Sequence, residues 1–172
     1  MADDDFTIDY KEFGEFYRRM GKISPEVKKQ LRKQLTQAAK PVVQAVQNAE
    51  LNIPAKSGET AAARRKKGEI LGLRRSLAAA TVSEIKATKN GGAVHIRVST
   101  TRFMSVSGRP RTVPYYVDGR RKRPWRHPVY GNSNKWVTQS PHPFLGVTVI
   151  KYKSDFEKKV SSAVLDAIAA VQ

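Results

Sequence analysis

Hydrophobic positions recur at helical spacing in the first third of the chain. Residues 24–26, Ser-Pro-Glu, supply a capping hydroxyl, a proline at the first helical position and an acid in the first turn. The apolar stripe that follows comprises Val27, Leu31, Leu35, Ala38, Val42, Val46 and Ala49. It predicts a core-facing helix that begins at Pro25 and ends by 53–54. Pro41 predicts a kink or a break in this helix, because proline lacks an N–H and its ring clashes with the preceding turn.

A second helical pattern lies near the C-terminus. Residues 144–150 are largely apolar, and after them apolar residues again recur every three or four positions. The recurring residues are Phe156, Val160, Val164, Ala167 and Val171. We therefore expect a helix that continues to the C-terminus.

Shorter patterns predict further elements on either side of the first helix. Residues 6–9, Phe-Thr-Ile-Asp, alternate apolar and polar positions and predict a short strand, whereas residues 10–20 favour a helix interrupted at Gly14. Residues 72–77, Gly-Leu-Arg-Arg-Ser-Leu, favour a helical turn that leads into residues 78–87. That second stretch is compatible with a strand as well as with a helix, so both alternatives stay open.

A turn signal in the middle of the chain predicts a β-hairpin. Residues 90–92, Asn-Gly-Gly, favour a tight turn, and residues 93–99 then alternate apolar and polar positions. Val94, Ile96 and Val98 share one face of the strand, and the polar face carries His95 and Arg97. The length of the chain suits a single domain over 1–172. This domain combines a small antiparallel sheet, a long kinked N-terminal helix, a C-terminal helix and long basic loops.

Two segments are predicted as loops. Residues 54–70 have little apolar content and include Arg64, Arg65, Lys66 and Lys67, so we expect a basic mobile loop or arm. Residues 101–143 are rich in Pro, Gly, Arg and aromatic residues, with a short strand predicted at 115–117. Loops of this length without regular structure are usually functional or disordered. Because this segment carries both tryptophans of the chain, we expect it to dock on a partner.

The charge balance adds the expectation of an acidic partner. The 172 residues include 32 Lys and Arg against 15 Asp and Glu, a net charge of +17. Residues 102–135 carry nine bases and one acid, and residues 56–89 carry nine bases and three acids. Such a field favours polyanions or acidic protein surfaces, although a basic surface that only aids solubility is the plain alternative. Acidic residues cluster at the N-terminus, where they can pair with a basic patch on the same chain or on a neighbouring copy. They are Asp3, Asp4, Asp5, Asp9, Glu12 and Glu15.

Composition excludes several classes of site. The chain has no cysteine, which rules out disulfides, thiolate zinc sites and cysteine nucleophiles. The histidines lack the spacing of metal ligands, and no pair of carboxylates is placed for acid–base catalysis. The sequence also lacks a phosphate-binding loop and the nucleophile elbow of hydrolases. We therefore expect that the protein is not an enzyme and binds no cofactor. The apolar stretches are shorter than the roughly 18 to 20 residues of a membrane helix, and the acidic start is unlike a secretory signal. We expect a soluble protein made in a cytoplasm.

Basic residues interleaved with aromatic residues form the remaining candidate site. Arginine contacts phosphate or stacks on rings, and tryptophan and tyrosine stack on bases, so nucleic-acid binding is open. Protein interfaces enrich the same residue types at their buried anchors. We predict interface residues Arg120, Arg121, Arg123, Trp125, Arg126, Tyr130 and Trp136. Contact with DNA or an acidic partner is a further expectation for Arg64, Arg65, Lys66 and Lys67.

An ordered set of motifs resembles the tail-component or neck proteins of long-tailed double-stranded DNA phages, which act in tail completion and head-tail joining. The set begins with the kinked N-terminal helix, which ends by 53–54. Residues 72–77 follow and are similar to the Gly-x-Leu-Arg-x-Ser motif of that family, and the hairpin turn at 90–92 comes next. It continues with 115–119, Tyr-Tyr-Val-Asp-Gly, and with 126–131, Arg-His-Pro-Val-Tyr-Gly. Trp136 and the Pro-Phe-Leu of 143–145, before the last helix, complete it.

The resemblance implies an α+β fold and a structural, non-catalytic virion protein of the head-tail neck. It implies a homo-oligomeric ring, with six copies expected by analogy with the six-fold tail, assembled in the host cytoplasm. The implied partners are further copies of the chain, the head-tail connector or stopper, and the tail terminator or tail tube. Genomic DNA would pass through the lumen with non-specific contacts at most. The alternative is a protein of a different functional class, a basic DNA-binding or DNA-packaging accessory protein.

Overall fold

The computed structural model describes residues 6–10, 19, 22, 24–54, 72–88, 91–120, 124–129 and 132–169. These residues form helices and strands in mixed order, which confirms the predicted α+β class. The helices are α1 (Pro25–Leu51), α2 (Leu73–Ala80), α3 (Thr100–Ser107), α4 (Val113–Val117) and α5 (Leu145–Ala169). The strands are β1 (Phe6–Tyr10), β2 (Thr81–Thr88), β3 (Gly91–Val98), β4 (Trp125–Val129) and β5 (Asn132–Gln139).

The chain groups into two compact units. The single domain predicted over 1–172 stays a prediction. The first unit draws on residues up to 46, residues 81–97 and residues from 148 onward. The second unit draws on residues 47–80 and 98–147.

A three-stranded sheet belongs to the first unit. Its strand order is β1-β3-β2, and β1 pairs antiparallel with β3 from Phe6 opposite Ile96 to Tyr10 opposite Gly92. The predicted first strand and the predicted neighbouring strands β2 and β3 are therefore confirmed. Val94 and Ile96 are buried, as the alternation requires. On the polar face, the Arg97 Nε donates a 2.9 Å hydrogen bond to Glu84 of β2.

Both long helices supply the core of the first unit. The buried residues of α1 recur every three or four positions and are Leu31, Leu35, Ala39, Val42 and Val46. Those of α5 are Val149, Phe156, Val160 and Ala163. Each buried Leu, Val or Phe side chain among them stabilises the fold by about 1.5 to 3 kcal/mol.

Helix α1 runs through Pro41 without interruption, so the expectation of a break was wrong. Proline in a helix interior costs about 3 kcal/mol. The buried residues on both sides of Pro41 outweigh that cost, and Pro41 itself lies on the exposed side of the helix. A kink at this position stays a prediction.

The second unit is built around helices α2 and α3, which pack against each other. Leu77 and Phe103 are buried. Two side chains connect the end of α1 to α2: Gln47 Nε2 donates to the Ala78 carbonyl at 3.1 Å, and Arg74 Nη1 donates to the Leu51 carbonyl at 3.2 Å. The helical turn predicted at 72–77 is therefore confirmed. The open choice at 78–87 resolves into helix up to residue 80 and strand after it.

Residues 101–143 differ most from their predicted form. They hold most of α3, together with α4, β4 and β5, where a loop without regular structure was expected. The strand predicted at 115–117 was wrong, because these residues end the helix α4. Pro114 explains the helix, since its fixed φ suits the first helical turn.

Some predictions fall outside the described residues. They are the arm at 54–70, apart from Pro54, and most of the helix at 10–20.

Candidate assembly interface

The aromatic and basic residues of the second unit are carried by a two-stranded antiparallel sheet, here called the hairpin arm (β4 and β5). Its register places Trp125 opposite Gln139 and Pro128 opposite Trp136, and the pairing becomes irregular between Pro128 and Val129. Proline within a sheet is confined to edges and irregular sites because it has no N–H to donate. Pro128 therefore marks β4 as a strand whose outer edge is interrupted.

Both faces of the hairpin arm are open to solvent along β5. Residues 134–138 are all exposed, although successive residues of a strand point to opposite faces. The exposed residues include Trp136 at 49% and its neighbour Val137 at 39%. A two-stranded hairpin alone is at best marginally stable in water. Large apolar side chains on both faces make the hairpin arm a candidate docking surface.

One cation–π contact orders the exposed tryptophan. The guanidinium carbon of Arg126 lies 5.5 Å from the centroid of the Trp136 ring. Arg126 pairs with Thr138, so Trp136 is its diagonal neighbour on the adjacent strand, within reach of a long side chain. At an exposed site such a contact contributes about 0.5 to 1 kcal/mol. It holds together two of the residue types that dominate protein interfaces.

The base of the hairpin arm is closed by Asp118. The Asp118 Oδ1 accepts hydrogen bonds from the backbone N–H of Phe144 at 2.7 Å and of Leu145 at 2.9 Å. The Asp118 Oδ2 accepts from the Arg120 Nε at 3.1 Å, and the Asp118 side chain is only 8% exposed. One carboxylate therefore caps the start of α5 and joins the two ends of the segment 118–144.

Backbone contacts tighten the same base. The His142 N–H donates to the Val117 carbonyl at 2.7 Å. Gly119 has a φ of 80°, and a Cβ at this position would lie 3.1 Å from the Pro141 Cβ. Glycine alone satisfies both constraints without strain. The chain thus leaves α4 through a fixed turn and returns to α5 at the same point.

Sequence reasoning missed Asp118, although a signal was present. Helix α5 follows Pro143 and Phe144, so no Ser, Thr, Asp or Asn directly before it caps its first N–H groups. A helix that lacks a local cap requires an acceptor from elsewhere in the chain. The acceptor is a carboxylate 26 residues before Phe144.

The structure brings together part of the predicted site. Arg126 and Trp136 meet on the hairpin arm, and Trp125 is the first residue of β4. Arg120 lies at the base, where it forms an ion pair with Asp118. The other predicted residues lie outside the described part of the chain: Arg121, Arg123, Tyr130, Arg64, Arg65, Lys66 and Lys67.

The described residues contain neither a metal site nor a membrane-spanning helix. Within them, no three His, Asp or Glu side chains are arranged to hold a metal ion. No helix in this part of the chain is both long enough and apolar enough to cross a bilayer.

Comparison with known proteins assigns the chain to a family of phage structural proteins. The family described as "Bacteriophage HK97-gp10, putative tail-component" matches residues 14–115. This match covers more than half of the 172 residues, and the chain belongs to the HK97-gp10-like family. No curated protein and no solved structure gave a match.

Family membership supports a structural protein of the phage tail and points to the virion as its location. A structural role of this kind implies a non-enzymatic protein. The matched residues end before β4, so the hairpin arm lies beyond the family match.

Proposed function

We propose that this tail component completes the tail at the head-tail neck, where copies of the chain form a closed ring that joins the tail to the head connector. The observation that carries the proposal is the hairpin arm, which exposes tryptophan, valine and arginine on a base closed by Asp118. Six copies match the six-fold tail. The ring contacts the connector or stopper on one side and the tail terminator or tail tube on the other.

Electron microscopy tests this proposal directly. Reconstruction of purified virions should show density for the protein as a ring at the neck, and the purified protein should form rings of the same size. A monomeric protein whose density lies outside the neck would contradict the proposal.

Trp136→Ala should impair assembly and leave the chain folded. The Trp136 side chain is half exposed in the chain, so its loss costs little intrinsic stability, whereas an interface anchor of this kind is worth about 2 kcal/mol or more. That energy corresponds to roughly 30-fold weaker association. The measurements are infectious particle yield and the mid-point concentration of ring assembly.

Two further variants complete this test. Met104→Ala is the matched control, since Met104 is an exposed apolar residue of the same unit that lies on α3, and it should assemble normally. Trp125→Ala probes the other strand of the arm and should impair assembly as well. Normal particle yield from both tryptophan variants would show that the hairpin arm is not part of the assembly interface.

The charge of +17 supports one alternative function, which is direct binding to DNA. Under the neck proposal, duplex DNA binds the free protein weakly, with dissociation constants of roughly 10⁻⁴ to 10⁻⁶ M at physiological salt and no sequence preference. The logarithm of affinity should fall by about 0.9 per phosphate contact for each decade of salt. A salt titration of DNA affinity, run beside a ring-assembly assay, measures both quantities.

Neutralising Arg64, Arg65, Lys66 and Lys67 together separates the two functions. The proposed neck function is supported if the parent protein binds DNA weakly and the variant assembles rings defectively. Tight, sequence-selective binding that is lost in the variant while rings still assemble identifies a DNA-binding protein instead.

A further inference from the structure

We propose that neighbouring copies in the ring join through their sheets, with β5 of one hairpin arm pairing edge to edge with β1 of the next copy. This inference rests on the proposed ring and names the surfaces that build it. Three observations carry it: the strand edges that the fold leaves at the side of each sheet, the position of Pro128, and the distribution of charge.

Strand order defines the edges. In the sheet β1-β3-β2 the central strand is β3, so β1 and β2 are edge strands among the described residues. In the hairpin arm each strand pairs with the other on one side, and the described part of the chain supplies no third strand to either. An edge strand offers a row of main-chain donors and acceptors to another chain.

Proline selects which edge of the hairpin arm is suited to pairing. β4 contains Pro128, which has no N–H to donate, and its pairing is irregular next to Val129. β5 has eight residues and no proline. Its residues 134–138 are exposed to solvent. The competent edge is therefore that of β5.

Charge selects the partner of β5. Residues 120–139 contain six bases and no acid, a net charge of +6. Residues 3–15, which include β1, contain six acids and one base, a net charge of −5. The other edge strand, β2, carries one acid and one base, Glu84 and Lys86, with a charged-atom distance of 3.7 Å. The complementary edge for the hairpin arm is therefore β1.

The same charges make the contact head-to-tail. Two β1 edges repel each other, and so do two hairpin arms, so the attractive combination joins different surfaces of two copies. A heterologous contact of this type generates a ring when its rotation closes. Main-chain hydrogen bonds supply affinity in such strand addition, and the charges supply specificity and orientation.

Charge reversal tests the pairing through mixed assembly. One variant reverses the acidic segment by Asp4→Lys, Asp5→Lys, Asp9→Lys and Glu12→Lys, which changes the net charge of residues 3–15 from −5 to +3. A second variant reverses the basic segment 120–139 by Arg121→Glu, Lys122→Glu, Arg123→Glu and Lys135→Glu, which changes the net charge of this segment from +6 to −2. The Arg126–Trp136 contact is retained in the second variant.

Each reversed variant alone should remain a 19.2 kDa monomer, because both of its edges then carry the same sign of charge. An equimolar mixture should assemble into alternating rings, since each positive edge again faces a negative one. Assembly of either variant alone at the parent protein's concentration would overturn the pairing. A mixture that stays monomeric would do the same.

Disulfide trapping tests the strand contact without changing charge. The chain has no cysteine, so a protein with Thr7→Cys in β1 is mixed with proteins that carry a single cysteine at one of positions 134–138 in β5. Disulfides require Cα atoms about 4.4 to 6.8 Å apart, so only directly opposed strands cross-link readily. At least one β5 position should give a covalent dimer on oxidation. Ser83→Cys in β2 is the matched control and should give none.

The outcomes separate this inference from the proposed ring. Rings that cross-link through Ser83→Cys, or that show no cross-link between β1 and β5, overturn the pairing and leave the neck function intact. A parent protein that forms no ring and is absent from the neck overturns the proposed function itself.

Discussion

Asp118→Ala should lower the free energy of unfolding by roughly 2 to 4 kcal/mol. The substitution deletes two charge-assisted hydrogen bonds to the N–H groups of Phe144 and Leu145 and leaves both donors without that acceptor. A lost N-terminal cap costs about 0.5 to 2 kcal/mol, and a hydrogen bond to a charged group contributes about 1.5 to 3 kcal/mol. Urea denaturation followed by circular dichroism measures the change.

Two neighbouring variants serve as controls for the cap. Asp118→Asn keeps an acceptor oxygen and should lose less than half as much stability. Arg120→Ala removes the ion pair but leaves both N–H bonds to the Asp118 carboxylate in place, so it should cost less stability than Asp118→Ala. If Asp118→Ala were no less stable than Arg120→Ala, the carboxylate would not cap α5.

Phe103→Ala should cost roughly 3 to 5 kcal/mol, the largest effect expected of a single truncation in the second unit. The Phe103 side chain is fully buried in the unit where α2 and α3 pack together. Its removal loses the transfer energy of the ring and leaves a cavity that the capped helix α3 cannot fill by shifting. Thermal and urea unfolding of the purified protein measure the loss.

The adjacent residue provides the comparison. Met104→Ala, at a side chain that is 38% exposed on the same helix, should change stability by less than about 1 kcal/mol. Similar losses in the two variants would show that α3 does not pack with its Phe103 face inward.

Periodicity made the two long helices predictable from the sequence. In α1 and α5 many apolar residues repeat the same spacing, so one irregular position such as Pro41 changes little. Helix α4 was not predictable in this way. The strand preference of Tyr115, Tyr116 and Val117 is a weak local signal, and a short element takes its form from its caps and its packing.

Contacts between distant residues account for what sequence reasoning missed in the site. The Arg126–Trp136 contact depends on the register of two strands, which composition does not specify. The Asp118 cap joins positions far apart in sequence. The types of residue at the site were predictable, whereas their partners became visible only in three dimensions.

The closed base of the hairpin arm has a consequence for evolution. Its hydrogen bonds connect Asp118 and Val117 to His142, Phe144 and Leu145, and none of them uses a residue from 121–140. Insertions, deletions and substitutions within that interval therefore leave the supporting contacts in place. Residues 121–140 can be exchanged without altering the contacts that support them. The family match ends at residue 115, so it covers part of the supporting fold and none of this interval. Under the proposed role of the hairpin arm in assembly, a lineage that replaces residues 121–140 changes the docking surface and keeps these supporting contacts.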